Sequence, residues 1–100
     1  MKVLVTGGSS LLGRTVANLL VARGEDVTCF QRSASGSNAV DVLGDIRDRA
    51  ELFAAADGVD AVVHLAALVA PKAPWADMVA INVEGTRNAL NAAVAGGRFV

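Results

Sequence analysis

KVLVTGGSSLLG, residues 2–13, changes character halfway along. Lys2 to Thr6 is a short apolar run rich in β-branched residues, the pattern of a strand buried on both faces. It stops at Gly7 and Gly8. From Leu11 onward Leu12, Val16, Leu19 and Leu20 return at helical spacing, with polar Arg14, Asn18 and Arg23 between them and Gly24 as a stop. Gly7 falls where the backbone must turn sharply. Gly13 falls in the first helical turn, where a side chain would push helix and strand apart. The first N–H groups of a helix have no intrahelical partner and carry the positive end of its dipole, so this turn suits a phosphate-like anion.

Downstream the alternation repeats. Asp26 to Gln31 (DVTCFQ) reads as a second strand, Arg32 to Asn38 (RSASGSN) as a polar turn, and Val40 to Leu43 as a third strand. Asp48 is placed to cap a helix carrying Leu52, Phe53 and Ala56. Asp60 to Leu65 (DAVVHL) is the fourth strand. Trp75 to Ala95 supports a long helix ended by Gly96 and Gly97, and Arg98, Phe99 and Val100 start a fifth strand. Strands alternating with helices over short joints predict an α/β fold, a doubly wound parallel sheet, because each crossover needs a helix to bring the chain back parallel. A glycine turn between a strand and a helix, closed by a second strand, is the setting that the Rossmann dinucleotide-binding fingerprint requires. Residues 1–100 are therefore expected to be the N-terminal part of such a domain, with its sheet cut after the start of the fifth strand.

Composition narrows the function classes. A chain of 100 residues supports one core. Ala61 to Ala70, the longest nearly apolar run, is interrupted by His64 and falls short of the roughly 18 residues that span a bilayer, so no membrane partner is expected. MKVLVTGG lacks the long apolar stretch of a secretory signal, and a cytoplasmic location is the expectation. Net charge is −1 and the nine basic residues are scattered, which leaves no footprint for nucleic acid. The lone Cys29 reads as a small buried apolar residue, and no His, Cys or carboxylate group has metal-ligand spacing.

TGGSSLLG at 6–13, GDIRD at 44–48, HLAA at 64–67 and NVEGT at 82–86 resemble, in order and spacing, the extended short-chain dehydrogenase/reductases. That group includes nucleotide-sugar epimerases, dehydratases and 3β-hydroxysteroid dehydrogenase-like enzymes. The resemblance implies a nicotinamide dinucleotide whose pyrophosphate lies on Gly7, Ser9, Ser10, Leu11, Leu12 and Gly13. Ser10 departs from the family, which has glycine there. Its Cβ takes space beside the phosphate while its hydroxyl could donate to a phosphate oxygen, and Ser10→Gly is expected to bind cofactor no more weakly than the parent. By the same resemblance Asp45 accepts from the adenine amine and Ile46 lines the adenine pocket. Leu65, Ala66 and Ala67 allow close cofactor approach after the fourth strand, and Asn82 helps position the active site. Read from the residues alone, Asp45 is equally a strand-end cap, Asn82 a polar group bonded to a neighbouring loop, His64 a packed strand-end histidine and Gly85 a close-packing site.

The end of the second strand decides between the two nicotinamide cofactors, because a carboxylate there accepts from the ribose 2′-OH and repels a 2′-phosphate. This chain has Gln31, Arg32 and Ser33 instead, and the Arg32 guanidinium suits a phosphate, so NADP is favoured over NAD. In the family a tyrosine, with a lysine four residues on, carries proton transfer. The chain has no tyrosine, and Lys2 and Lys72 are its only lysines, so no catalytic residue is assigned and the substrate-binding and catalytic part is expected to be absent. Lys72 and Trp75 could edge a pocket for a small hydroxy or keto substrate. The expected function is the cofactor half of an NAD(P)-dependent oxidoreductase, epimerase or dehydratase. The alternative is a non-catalytic dinucleotide-binding or redox-sensing module acting through the helix Trp75 to Ala95 as an association surface, and a homodimer is among the expected partners.

Overall fold

The computed structural model describes residues 1–96, 98 and 99. Its elements in chain order are β1 (Lys2–Thr6), α1 (Leu11–Ala22), β2 (Asp26–Gln31), β3 (Val40–Leu43), α2 (Arg49–Ala55), β4 (Ala61–His64), α3 (Trp75–Met78), a π-helical segment (Val79–Glu84), α4 (Gly85–Gly96) and β5 (Arg98–Phe99). All the strand pairs are parallel, and the sheet order is β3-β2-β1-β4-β5. The doubly wound α/β sheet expected from the sequence is the fold observed. β1, β2 and β3 fall on the expected residues, and β4 is one residue shorter at each end. Asp48 caps α2 as anticipated, its carboxylate accepting from the Glu51 N–H at 3.1 Å. Gly97 and Val100 lie outside the described residues.

Side chains alternate across a strand, so β1 feeds two cores. Leu4 points to one face, where Phe30, Leu52, Val62, Ala89, Ala92 and Ala93 close around it from β2, α2, β4 and α4. Val3 and Val5 point to the other, with Ala17 of α1 and Val27 and Cys29 of β2. Each buried Leu, Val or Phe contributes about 1.5–3 kcal/mol, so a central strand buried on both faces concentrates stability where the functional loop begins. Cys29 is fully buried, as expected, and burial pushes its thiol pKa up.

Two local readings change. The apolar stripe of α1 is split: Leu12 and Leu19 are 60% exposed, Val16 and Leu20 are half-buried with Leu20 packed on the core, and the fully buried positions are Gly13 and Ala17. The helix seats closest to the sheet over its small residues. The long helix after β4 also contains a π-helical segment, whose last turn is closed by the Gly85 N–H donating to the Ala80 carbonyl, five residues back. Asn82 lies within this segment. No helix among the described residues is long and apolar enough to cross a membrane.

The strand order reverses direction at β1, with β2 and β3 on one side and β4 and β5 on the other. At such a switch point the loops leaving neighbouring strands diverge, and a crevice opens at the carboxyl ends.

Candidate functional site

A groove of about 170 Å³ occupies that crevice. Gly7, Ser9 and Ser10 line it after β1, and Phe30, Gln31, Arg32 and Ser33 at the end of β2. Gly44, Asp45 and Ile46 follow β3, Leu65, Ala66 and Ala67 follow β4, and Ile81 comes from the π-helical segment. Sequence reasoning had not singled out Phe30, Gly44 or Ile81, whose approach depends on tertiary packing. Leu11, Leu12, Gly13 and Asn82 stand outside this lining.

The turn after β1 is built by exclusion. Gly7 has φ of 76°, and a Cβ there would lie 2.7 Å from the Ala66 backbone nitrogen. A Cβ on Gly13 would lie 2.0 Å from the Gly7 carbonyl oxygen. Gly8 is confined too, between Cys29 Sγ and Gln31 Oε1, which no glycine spacing revealed. Ser10 is the N-cap of α1: its hydroxyl donates to the Gly7 carbonyl at 3.0 Å and accepts from the Gly13 N–H at 3.1 Å. The hydroxyl therefore closes the turn, where sequence reasoning had it free to meet a phosphate. The N–H groups of Ser9, Leu11 and Leu12 donate to no group among the described residues. Leu11 and Leu12 thus enter the site through backbone donors, their side chains being exposed.

The wall after β2 is built by side-chain bonding. Gln31 is buried; its Oε1 accepts from the Gly8 N–H at 3.2 Å and its Nε2 donates to Asp41 Oδ1 at 3.0 Å. Its amide thus ties the glycine turn to β3, and the residue meets the groove without a free polar end. Arg32 is exposed and makes no hydrogen bond or ion pair among the described residues.

The Asp45 carboxylate accepts from the Arg47 backbone N–H at 2.9 Å, so its side chain caps the turn after β3, as one reading of the residues expected. Arg47 holds both of its carboxylate oxygens, Nε donating to Oδ1 at 3.0 Å and Nη2 to Oδ2 at 2.6 Å. The hydrogen bonds from Arg47 bring its pKa down to about 2. Four hydrogen bonds from Arg47 thus meet the roughly four lone-pair sites of the carboxylate, so Asp45 accepts from a ligand in the groove only by releasing one of them. Ile46 is buried against Gly85, where an added Cβ would come within 3.0 Å of Ile46 Cγ2; close packing is the role of this glycine.

Asn82 clamps the loop that forms the third wall: its Oδ1 accepts from the Leu68 N–H at 2.7 Å and its Nδ2 donates to the Leu68 carbonyl at 3.0 Å. Behind it His64 Nδ1 lies 2.7 Å from Thr6 Oγ1 and Nε2 lies 3.0 Å from Thr86 Oγ1. Burial holds the imidazole pKa below its ordinary value, favouring the neutral ring.

The sequence matches the NAD dependent epimerase/dehydratase family over residues 3–100. It is 37% identical over 99 residues to a 4-hydroxy-2-methyl-3-oxo-4-farnesyl-3,4-dihydroquinoline-1-oxide ketoreductase of Stigmatella aurantiaca, covering 93% of this chain and 30% of that protein. It is 33% identical over 112 aligned positions to a 3-beta-hydroxysteroid dehydrogenase of Mycolicibacterium neoaurum, covering 99% of this chain and 31% of that one. Among solved structures, a short-chain dehydrogenase/reductase superfamily protein from Agrobacterium tumefaciens with bound NAD superposes with a TM-score of 0.89 at 40% identity, over 99% of this chain and 31% of that one. WbmG of Bordetella bronchiseptica in complex with NAD gives 0.84 at 28% identity, over 95% of this chain and 34% of that one. The chain thus spans about a third of the length of these relatives. With glycine turn, groove and sequence in agreement, the chain belongs to the NAD dependent epimerase/dehydratase family.

Proposed function

We propose that residues 1–100 are the cofactor-binding, N-terminal part of an NAD(P)-dependent oxidoreductase, epimerase or dehydratase, and that the groove holds the dinucleotide. The observation that carries this reading is the floor of the turn. Gly7 and Gly13 leave no room for side chains, while the N–H groups of Ser9, Leu11 and Leu12 have no partner among the described residues. Those donors and the positive end of α1 suit a pyrophosphate. Gln31, Arg32 and Ser33 would face the adenosine ribose, Asp45 and Ile46 the adenine, and Leu65 to Ala67 the middle of the cofactor. Asn82 would act indirectly, by holding Leu68 and with it the loop after β4.

When bound, the nicotinamide supplies a hydride acceptor or donor, and the protein's part is to orient it. The chain contains no tyrosine, so proton transfer is assigned to the longer protein, with a hydroxy or keto compound such as a sterol or sugar nucleotide as substrate class. NADP is the preferred cofactor in this reading, because Arg32 is exposed at the rim, where its charge already acts on Asp45 without a hydrogen bond, and Gln31 stands where a carboxylate would repel a 2′-phosphate. Exposed Val83, Leu90 and Val94 support pairing of two copies through the long helix.

Calorimetric titration of the purified protein with NADPH and NADH tests the proposal. Tighter binding of NADPH is expected, with about tenfold of that affinity lost in Arg32→Ala and NADH unaffected. Equal affinities in the parent would end the NADP preference. No binding of either at millimolar concentration would end the dinucleotide reading.

A further inference from the structure

Five hydrogen bonds form a chain whose proton directions are set from its Thr86 end. Thr6 Oγ1 accepts from the Ala66 N–H at 3.2 Å and shares the Leu65 N–H, at 3.1 Å, with the Thr6 carbonyl at 3.2 Å, and its own proton is available to His64 Nδ1 at 2.7 Å. At the other end Thr86 Oγ1 donates its one proton to the Asn82 carbonyl at 2.6 Å, so toward His64 Nε2, 3.0 Å away, it can only accept. The Thr86 end requires a proton on Nε2, and in the neutral ring Nδ1 is then bare and accepts from Thr6 Oγ1.

We propose that His64, fixed in the Nε2–H tautomer between Thr6 and Thr86, is a positioning residue that locks the Leu65–Ala67 wall of the groove to the end of β1. Thr6 Oγ1 receives both amides that lead into the wall, the Leu65 amide jointly with the Thr6 carbonyl. The hydroxyl can present both lone pairs to those amides only while its proton goes to His64. Thr86 stands at the start of α4, outside the lining, and holds the imidazole in register while bonding the Asn82 carbonyl. The relay therefore joins the glycine turn, the loop after β4 and the π-helical segment. Its consequence for cofactor affinity rests on the dinucleotide reading, whereas its proton directions and its grip on the wall do not.

The test uses the protein's single histidine. Nitrogen-15 spectra of the parent should show one protonated nitrogen, Nε2, and one bare nitrogen, Nδ1. Thr86→Val removes the acceptor while preserving shape. It should weaken that tautomer preference and speed hydrogen exchange at the Leu65 and Ala66 amides by about fivefold to tenfold, the scale of one buried hydrogen bond. Leu4 and Val62 amides should keep their protection, NADPH affinity should fall by about fivefold, and Thr86→Ser should restore all of these. A proton on Nδ1 in the parent would overturn the proposal. So would unchanged Leu65 and Ala66 exchange in Thr86→Val, or an equal rise at every amide, which would mark Thr86 as scaffold alone. Should the parent bind no NADPH, the dinucleotide reading falls, and the tautomer and exchange measurements still decide the relay.

Discussion

At the Gly7–Gly13 end of the groove the floor is backbone at contact distance, with 2.0 Å between the Gly7 carbonyl oxygen and any Cβ placed on Gly13. At the Asp45 end the wall is a carboxylate held by a neighbouring guanidinium, with 30% of the Asp45 side chain exposed. Steric exclusion admits no adjustment, because an added methyl has nowhere to go in packing of crystal-like density. An ion pair near the surface is softer: solvent shares the charges, and either partner can turn toward a ligand. The groove therefore has a rigid half, which in the proposed reading would receive the phosphates, and a softer half, which would face the adenine.

The largest break of that contrast is Gly13→Ala. The methyl would force α1 away from β1, and a loss of at least about 3 kcal/mol is expected in urea unfolding; a loss below about 1 kcal/mol would mean that the floor yields. Asp45→Asn probes the soft half. With a folded pKa of about 2 against the ordinary 3.8, the Asp45 carboxylate stabilises the fold above its ordinary pKa, and that contribution drains away as pH falls from 3.8 toward 2. Asp45→Asn should cost on the order of 1 kcal/mol near neutral pH and flatten the stability profile across that acid window; an unchanged acid limb would show that Arg47 contributes nothing net. The smallest effect belongs to Ser10→Gly. Glycine is nearly as good an N-cap as serine, so about 0.3 kcal/mol of stability is at stake. Cofactor affinity should hold, since the hydroxyl is engaged with Gly7 and Gly13; weaker binding would show that it reaches the phosphate after all.

The rigid half was the more readable one in the sequence. Val3, Leu4 and Val5 running into Gly7 and Gly8, with Gly13 beyond, carry strand, turn and close approach in local order, and the bounds of β1, β2 and β3 follow from such runs. The face of α1 misled because Leu12 and Leu19 are more conspicuous than the Gly13 and Ala17 that a closely seated helix requires. Gln31 occupies a specificity position by its place in the chain, yet its amide turns inward to Gly8 and Asp41, a partnership between residues far apart in sequence. Asn82 could be recognised as unusual in a helix, but its clamp on Leu68 depends on a π-helical turn that periodicity does not announce. What the sequence conceals here is the destination of polar side chains; what it displays is where only glycine fits.

The central claim is that the turn Gly7 to Gly13 receives the cofactor's phosphates on backbone donors. An amide nitrogen-15 titration of the labelled protein with NADPH reads those donors one by one. The largest shifts are expected at Ser9, Leu11 and Leu12, with a second set at Asp45 and Ile46 and little change along α4. Saturating shifts confined to α4 or β3, or none at millimolar NADPH, would contradict the account.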